Sequence, residues 1–202
     1  MALRIIGKST SINVRKVFWL CAEIGAQYEH EEGTPQDIKA LNPNAMVPVL
    51  RDGDFTMWES NAICRYIAST RGATDLLPAN AKNRAKVDQW MDWQSTELTY
   101  AWRYAFMAIV RKSPAHTNAT LVFASVAQWN RHMQMLDGQL TKTGAYVTGS
   151  SFTLADIVLG LATNRWYMTP MEQRPALAAV EAYYERLSQR PPFKLHGRNG
   201  VP

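Results

Sequence analysis

Cysteine and histidine are scarce in this chain of 202 residues, which has two of the first and four of the second. Cys21 and Cys64 each fall within a helical apolar pattern, where a free thiol behaves as a small core residue. The histidines lie far apart, and no two of them have a spacing typical of metal ligands. The sequence therefore predicts neither a disulfide framework nor a metal site.

Long apolar runs and runs of like charge are also missing. No segment approaches the roughly 20 apolar residues that span a bilayer, and no charged-then-apolar signal segment opens the chain. The net charge of +5 comes from 22 basic and 17 acidic residues, scattered without the basic stripe and interleaved aromatics of a nucleic-acid surface. The 47% apolar content is typical of globular proteins. We expect a cytoplasmic protein that binds neither nucleic acid nor membrane.

Residues 42–60, NPNAMVPVLRDGDFTMWES, contain the clearest local pattern in the sequence. Two apolar runs, at residues 46–50 and 55–58, flank Asp52 and Gly53. This dipeptide tolerates the positive φ angles of a tight turn. The pattern predicts a hairpin of two antiparallel strands.

The predicted hairpin has two features that favour ligand binding. Pro48 lies inside the first run and cannot donate a ladder hydrogen bond, so it marks an edge, a bulge or a cis bond. A backbone group beside it is then free for a ligand. The second strand runs into Glu59 and Ser60, where apolar residues begin to recur at helical spacing. A helix N-terminus at that place suits a carboxylate.

The residues before the hairpin predict a parallel β-α-β unit. Leu3–Ile6 is an apolar run typical of a buried strand, and a helical pattern follows from Val14 to Gly25. Residues 27–31 are the second predicted strand. A polar connector with a helical turn at residues 36–41 then leads to the hairpin.

The second half of the chain is predicted to be all-α. Apolar residues at helical spacing indicate one long helix over residues 83–111 and an antiparallel one over residues 122–140. Thr153 and Asp156 form a capping-box pair at the start of a core helix.

One more helix is expected near the end of the chain. It starts near Pro175 and ends at Pro191 and Pro192. We expect the residues after it to be irregular.

Four motifs, STSIN, NPNAMVP, WESNA and FTLAD, occur in the order that they have in cytosolic glutathione transferases, and the chain resembles that family over nearly its whole length. The resemblance implies an α/β thioredoxin-like N-terminal domain plus an all-α C-terminal helical domain. The division would be a glutathione-binding domain at residues 1–73, a linker at 74–82 and a substrate-binding domain at 83–202. The family also implies a homodimer.

The same resemblance implies which residues bind glutathione. In the family the proline is cis, the residue before it pairs with the tripeptide backbone, and the Glu-Ser pair holds the γ-glutamyl end. Those roles fall to Val47, Pro48, Glu59 and Ser60. Relatives use a basic residue in the connector for the glycine carboxylate, and Lys39 is the only lysine there.

Activation of the glutathione thiol requires a hydrogen-bond donor, because the thiolate is the nucleophile and an unassisted thiol is only a few per cent ionised at neutral pH. Ser9, Thr10, Ser11 and Asn13 are all candidates in the loop before the first helix. The segment STSINVRKV resembles the Ser-x-Asn-x-x-x-Val pattern of serine-type transferases of the phi and theta-like bacterial kind, in which the serine is Ser11. Asn13 is the alternative. The loop has no cysteine and no tyrosine, which argues against the classes that use those residues.

The predicted electrophile pocket draws on aromatic residues of the helical domain. Its candidate residues are Trp102, Arg103, Phe106 and Trp166, of which Arg103 would favour an anionic substrate. The resemblance thus implies a detoxification enzyme that joins the glutathione thiolate to a small hydrophobic electrophile, with glutathione as co-substrate and no further cofactor. The alternatives are a non-catalytic glutathione- or partner-binding module and a glutathione-dependent isomerase, dehalogenase or peroxidase.

Overall fold

Four short strands form one mixed sheet in the N-terminal half. In the computed structural model, which describes residues 3–172 and 174–202, their order is β2-β1-β3-β4. β1 pairs parallel with β2 and antiparallel with β3, and β3 pairs antiparallel with β4. The strands are β1 Leu3–Ile6, β2 Tyr28–Glu31, β3 Val49–Asp52 and β4 Phe55–Trp58. The predicted β-α-β unit and hairpin are confirmed.

The first strand of the hairpin begins later than the sequence pattern predicted. Its pairing with β1 starts at Val49, opposite Ile6, although the apolar run starts at residue 46. Pro48 has no N–H to donate to a ladder, so regular pairing begins only after it. Val47 consequently lies just before the strand.

Three helices complete this half: α1 Ile12–Ile24, α2 Pro35–Leu41 and α3 Ser60–Thr70. α1 ends at Gly25, whose φ of 64° is the left-handed conformation that glycine adopts without steric cost. α2 is a full helix where the sequence predicted a short turn. It begins with a capping box between Thr34 and Asp37.

The C-terminal half is helical, as predicted. The helix predicted over residues 83–111 is present without a break in helical structure. A π-helical turn, Gln94–Leu98, separates its two α-helical parts, α4 and α5. Apolar spacing did not reveal this wider turn. The helices are α4 Ala81–Trp93, α5 Thr99–Ile109, α6 Ala119–Thr143, α7 Leu154–Met168, α8 Ala178–Leu187 and α9 Pro191–His196.

The end of the chain differs from the prediction. The predicted last helix is α8, and the residues after it are not all irregular, because α9 starts at Pro191. The first turn of a helix needs no backbone N–H, so the two prolines begin a helix as well as ending the previous one. Phe193 of α9 is buried against Trp19 and Tyr184, with ring centroids 4.8 and 5.7 Å apart.

α7 is the central helix of the molecule, and its residues are buried from Leu154 to Trp166. The Asp156 carboxylate at its start accepts hydrogen bonds from the backbone N–H groups of Val147 and Thr153, at 2.9 and 2.8 Å. Burial raises the pKa of Asp156 to about 6, and these donors oppose the rise. The predicted capping box is therefore present, and it fixes where the core helix begins.

The two cysteines are free and buried. Cys21 lies on α1 and Cys64 on α3, and burial raises the pKa of each thiol to about 12. They are core residues, as the sequence indicated.

Candidate functional site

The start of α1, the turn after β1 and the segment before β3 approach one another at one edge of the sheet. A Cβ atom added to Gly7 would lie 2.7 Å from the Cβ of Val47 and 2.8 Å from a methyl carbon of Val14. Only a residue without a side chain fits there, and Gly7 also has a φ of 145°. The loop that holds Ser11 therefore lies directly beside the segment that holds Pro48.

Ser11 is the N-cap residue of α1, yet its side chain makes no capping hydrogen bond within the described chain. Its backbone N–H donates to the carbonyl of Lys8 at 2.9 Å, and its side chain is half-buried. The hydroxyl is thus not used by the helix. Asn13, the alternative donor, is half-buried in the first turn of the same helix.

The peptide bond between Val47 and Pro48 is cis. The loop before it is ordered by Asn42, whose side-chain amide donates to the carbonyl of Met46 at 2.8 Å. Pro48 is buried and Val47 is half-buried. The side chain of Val47 lies against Gly7, at the start of the loop that leads to Ser11.

Glu59 and Ser60 begin α3 in an unusual backbone conformation. Glu59 has a φ of 73° and a ψ of 107°, which a non-glycine residue rarely adopts and which costs conformational energy. Its side chain is exposed, whereas Ser60 is buried in the first turn. The strained residue lies next to a free helix N-terminus, which can bind an anion.

Lys16 is buried behind Ser60, and sequence analysis did not single it out. Its Nζ donates to Gln94 Oε1 at 2.7 Å, to Asn61 Oδ1 at 3.2 Å and to Ser60 Oγ at 3.5 Å. Burial lowers the pKa of Lys16 to about 8. The only signal in the sequence is a pair of basic residues, Arg15 and Lys16, inside an apolar helix.

Arg15 is buried on another side of α1 and binds the last residues of the chain. Its Nη1 donates to the carbonyl of Val201 at 2.9 Å and to Asn199 Oδ1 at 3.2 Å, and its Nη2 donates to an oxygen of Pro202 at 2.9 Å. A longer contact of 3.4 Å joins Nη1 to the carbonyl of His196. The segment after α9 is therefore held against α1.

Arg165 of α7 reaches the same segment. Its Nη2 donates to Pro202 at 3.4 Å, and its guanidinium lies over the rings of Phe106 and Trp102, at 4.0 and 4.6 Å from their centroids. Burial, with added repulsion from Arg15 and Arg111, lowers the pKa of Arg165. Two buried cations and two aromatic rings thus meet near the start of α1.

The structure brings together only some of the residues predicted for an electrophile pocket. Trp102 and Phe106 pack edge to face at 5.4 Å. Trp166 is buried on α7, where its Nε1 donates to Asn130 Oδ1 at 2.9 Å, and Arg103 lies on the exposed face of α5. Arg165 lies over both the Trp102 and Phe106 rings, and Arg111 lies 5.5 Å from the Phe106 centroid. Lys39 is exposed on α2.

A separate, mostly apolar cavity of about 740 Å³ lies between the end of α5, the start of α6 and the loop after α7. Ile109, Val122 and Met171 are among the residues that line it. The glutathione-site candidates Ser11, Val47 and Ser60 do not line it. This cavity is a different surface from the edge where α1 and α3 begin.

The fold and this edge define a class of protein: a thioredoxin-like domain with a cis-proline hairpin, joined to a helical domain. Residues 10–70 match the family described as "Glutathione S-transferase, N-terminal domain", and residues 94–191 match "Glutathione S-transferase, C-terminal domain". The chain belongs to the cytosolic glutathione S-transferase family, whose enzymes use glutathione as co-substrate.

Individual relatives agree over nearly the whole length. Glutathione S-transferase GstB of Escherichia coli strain K12 is 31% identical over 194 residues, covering 92% of each chain. Glutathione S-transferase 3 of Zea mays is 31% identical over 210 residues, covering 95% of this chain and 91% of its own. The crystal structure of the theta class glutathione S-transferase from Xanthomonas axonopodis pv. citri with glutathione bound is 34% identical, with a TM-score of 0.87 and 96% of both chains covered.

Within residues 3–172 and 174–202, no group of three His, Cys, Asp or Glu side chains is arranged to hold a metal ion. In the same part of the chain, no helix combines the length and apolarity that a membrane crossing needs.

Proposed function

We propose that this protein is a serine-type transferase that joins the glutathione thiolate to a small electrophile. The observation that carries the proposal is the free hydroxyl of Ser11. This hydroxyl makes no hydrogen bond to the helix that Ser11 begins, and the loop that holds it starts at Gly7, which lies against Val47 of the cis peptide. A tripeptide bound along Val47 would bring its thiol to that hydroxyl.

The chemistry needs a donor and not a base. Lowering a thiol pKa by about two units requires roughly 2.7 kcal/mol of preference for the anion. A hydroxyl that donates to a charged acceptor supplies about 1.5–3 kcal/mol, and a helix N-terminus adds about 0.3–1 kcal/mol. Ser11 at the start of α1 offers both. Asn13 offers a weaker arrangement, because it lies inside the first turn.

The γ-glutamyl end of glutathione would bind at the start of α3. There Glu59 is exposed to meet the ligand's amino group, and Ser60 and the free N–H groups of the helix meet its carboxylate. The backbone of Val47 would pair with the cysteinyl unit, and Lys39 would approach the glycine carboxylate. Lys16 lies behind this surface and donates hydrogen bonds to the side chains of Ser60 and Asn61.

The wider assignments follow from family membership. We propose a division into residues 1–73, 74–82 and 83–202, assembly as a homodimer, a cytoplasmic location and a role in detoxification, with no cofactor besides glutathione as co-substrate. The electrophile would contact the rings of Trp102 and Phe106.

The test is a titration of the bound thiol, followed by the ultraviolet absorbance of the thiolate in the glutathione complex across pH. We expect Ser11→Ala to move the titration upward by about one to two pH units and to slow conjugation most below neutral pH. Glutathione affinity should change little. Ser9→Ala, in the exposed part of the same loop, is the matched control and should titrate like the unmodified protein.

Other outcomes have distinct meanings. If Asn13→Ala moves the titration and Ser11→Ala does not, the activating residue is Asn13. If the protein binds glutathione but converts no electrophile, it is a binding module and the transferase proposal is wrong. A protein that shows no heat with millimolar glutathione in calorimetry would refute the glutathione site itself.

A further inference from the structure

Lys16 is a buried cation behind the first turn of α3, and it forms no ion pair with any residue that the structure describes. The residue is only 2% exposed. An ammonium group carries three hydrogen-bond donors and no acceptor, and those of Lys16 are matched by three neutral side-chain oxygens, on Gln94, Asn61 and Ser60. Its hydrogen bonds are therefore complete, whereas its charge is not compensated.

The directions of these hydrogen bonds are consistent with the rest of the network. The Asn61 amide nitrogen donates to a backbone carbonyl of α4 at 2.7 Å, and the Gln94 amide nitrogen donates to a threonine hydroxyl of α5 at 3.2 Å. Both side chains thus direct their oxygens toward Lys16. Because Lys16 also donates to the Ser60 oxygen, the hydroxyl hydrogen of Ser60 is left for an acceptor on another side. In the part of the chain that the structure describes, this hydrogen has no acceptor.

The cation adds to the positive potential of a helix N-terminus. Ser60 and Asn61 are the first two residues of α3, whose N-terminal N–H groups carry a partial positive charge and have no side-chain cap within the described chain. A positive charge beside a helix N-terminus is unfavourable in the free protein and favourable once an anion is bound there. Burial strengthens both effects, because little solvent screens the charge. The fold therefore favours an anion at the start of α3 more strongly than the helix alone would.

We propose that Lys16 is a positioning residue for the γ-glutamyl carboxylate of glutathione. Its three donors are occupied, so it would not touch the ligand itself. It would instead direct the hydroxyl hydrogen of Ser60 toward the carboxylate and add its charge to the potential of the helix N-terminus. The inference rests on the proposed function, in which glutathione binds with this carboxylate at Ser60.

The test compares S-methylglutathione with an analogue that lacks only the α-carboxylate of the γ-glutamyl unit. Calorimetry measures both affinities below neutral pH, where Lys16 is charged, and the methyl group removes thiol ionisation from the comparison. We expect Lys16→Met to weaken the binding of S-methylglutathione by about tenfold and that of the analogue by less than about twofold. Lys142→Met, which removes a cation from the exposed end of α6, is the matched control and should change neither affinity.

A second variant, Gln94→Glu, tests the charge of Lys16 without removing the side chain. The new carboxylate would replace the amide oxygen that lies 2.7 Å from Nζ, so the buried cation would gain an opposite charge. We expect the affinity for S-methylglutathione to fall several-fold while the melting temperature does not fall. A merely structural role for Lys16 would not produce that combination. Gln134→Glu, at an exposed position of α6, is the control for the added carboxylate.

Proton uptake on binding gives a readout that packing alone would not change. Burial lowers the pKa of Lys16 to about 8, and a bound carboxylate should raise it again. The other ionisable groups that act on Lys16 are Cys64 and Glu59 at α3 and Arg165 of α7. Lys16→Met retains all three, so their contributions cancel in the comparison. Calorimetry near pH 8 in buffers of different ionisation enthalpy should show that the unmodified protein takes up more protons with S-methylglutathione than Lys16→Met does.

Four outcomes would overturn the inference. If Lys16→Met weakens both ligands equally, Lys16 only supports the local fold. If it weakens neither, the charge of Lys16 does not act on the ligand. Should Lys16→Met fail to fold, an unchanged affinity of Gln94→Glu for S-methylglutathione would show that the inference is wrong. If the unmodified protein binds both ligands equally well, the proposed carboxylate site at Ser60 is itself wrong, and the inference fails with it.

Discussion

Arg15 and Lys16 are neighbours in the sequence, and both are buried on α1. Their hydrogen-bond partners nevertheless lie in different parts of the fold. Lys16 donates to side-chain oxygens of Ser60, Asn61 and Gln94, all of which lie on helices packed around α1. Arg15 donates to oxygens of the segment after α9. The partners of Lys16 lie on helices in the middle of the chain, whereas those of Arg15 lie in its last few residues.

This difference separates two ways of using a buried cation. A buried charge without an opposite charge beside it is costly, and none of the three hydrogen-bond partners of Lys16 is a carboxylate. Lys16 fixes the position of Ser60 and can do so only while its partners stay in place. Arg15 instead holds the segment after α9 against α1.

The largest expected effect concerns the pH dependence of stability at Lys16. Its pKa of about 8 in the folded protein lies below the ordinary value of 10.5. Between these two pH values the unfolded chain holds a proton that the folded chain has released, so raising the pH favours folding. The free energy of unfolding of the unmodified protein should therefore rise, relative to Lys16→Met, by up to about 3 kcal/mol from pH 8 to pH 10.5.

Denaturant unfolding at several pH values measures this difference, and Arg15→Met provides the contrast. From pH 8 to pH 9, Arg15→Met should run parallel to the unmodified protein, because burial lowers the pKa of Arg15 only to about 10 and its guanidinium stays largely protonated there. The contrary result is a free energy of unfolding of Lys16→Met that changes with pH in parallel with that of the unmodified protein. That result would mean that Lys16 is fully charged and well compensated, and the contrast between the two cations would be wrong.

An intermediate effect is expected at Ser60, on the ligand side of the Lys16 network. Ser60→Ala removes a hydroxyl that we propose binds the γ-glutamyl carboxylate, so calorimetry should show glutathione affinity weaker by about 1–3 kcal/mol. The melting temperature should change little. Ser69→Ala, near the exposed end of the same helix, is the control. An unchanged affinity would leave Ser60 with a purely structural role as a partner of Lys16.

The smallest effect is expected on the Arg15 side. Asn199 accepts from Arg15 and from the backbone N–H of Val201, both at 3.2 Å. Asn199→Ala should lower the free energy of unfolding by about 1 kcal/mol or less, while hydrogen exchange after α9 becomes faster. Lys194→Ala, at an exposed position of α9, is the control. A loss of several kcal/mol would show that the segment is an integral part of the core and not an exchangeable partner.

The sequence predicted the elements whose signals are local. Pro48 inside an apolar run, the Asp52-Gly53 turn and the Thr153–Asp156 capping box each determine a backbone conformation within a few residues, and the structure contains all three features. β3 begins at Val49, later than the apolar run from residue 46 predicts, because such a run does not reveal where strand pairing begins.

Contacts between distant residues were not predictable in the same way. Lys16 meets Gln94 across 78 positions of the chain, and Arg15 meets Val201 across 186. Nothing in the local pattern around a basic residue distinguishes an exposed side chain from one that is buried between helices. Arg103 follows Trp102 in the sequence but is exposed, whereas Arg165 reaches the Trp102 ring from another helix.

The π-helical turn Gln94–Leu98 determines how α4 and α5 are rotated relative to each other. Each residue of an α-helix advances by about 100°, and a wider turn accommodates one residue more than the regular repeat. Deleting a single residue there would restore the regular repeat but turn everything beyond it, so that Trp102 and Phe106 no longer lay under Arg165. The number of residues in this turn therefore determines which side chains of α5 face Arg165.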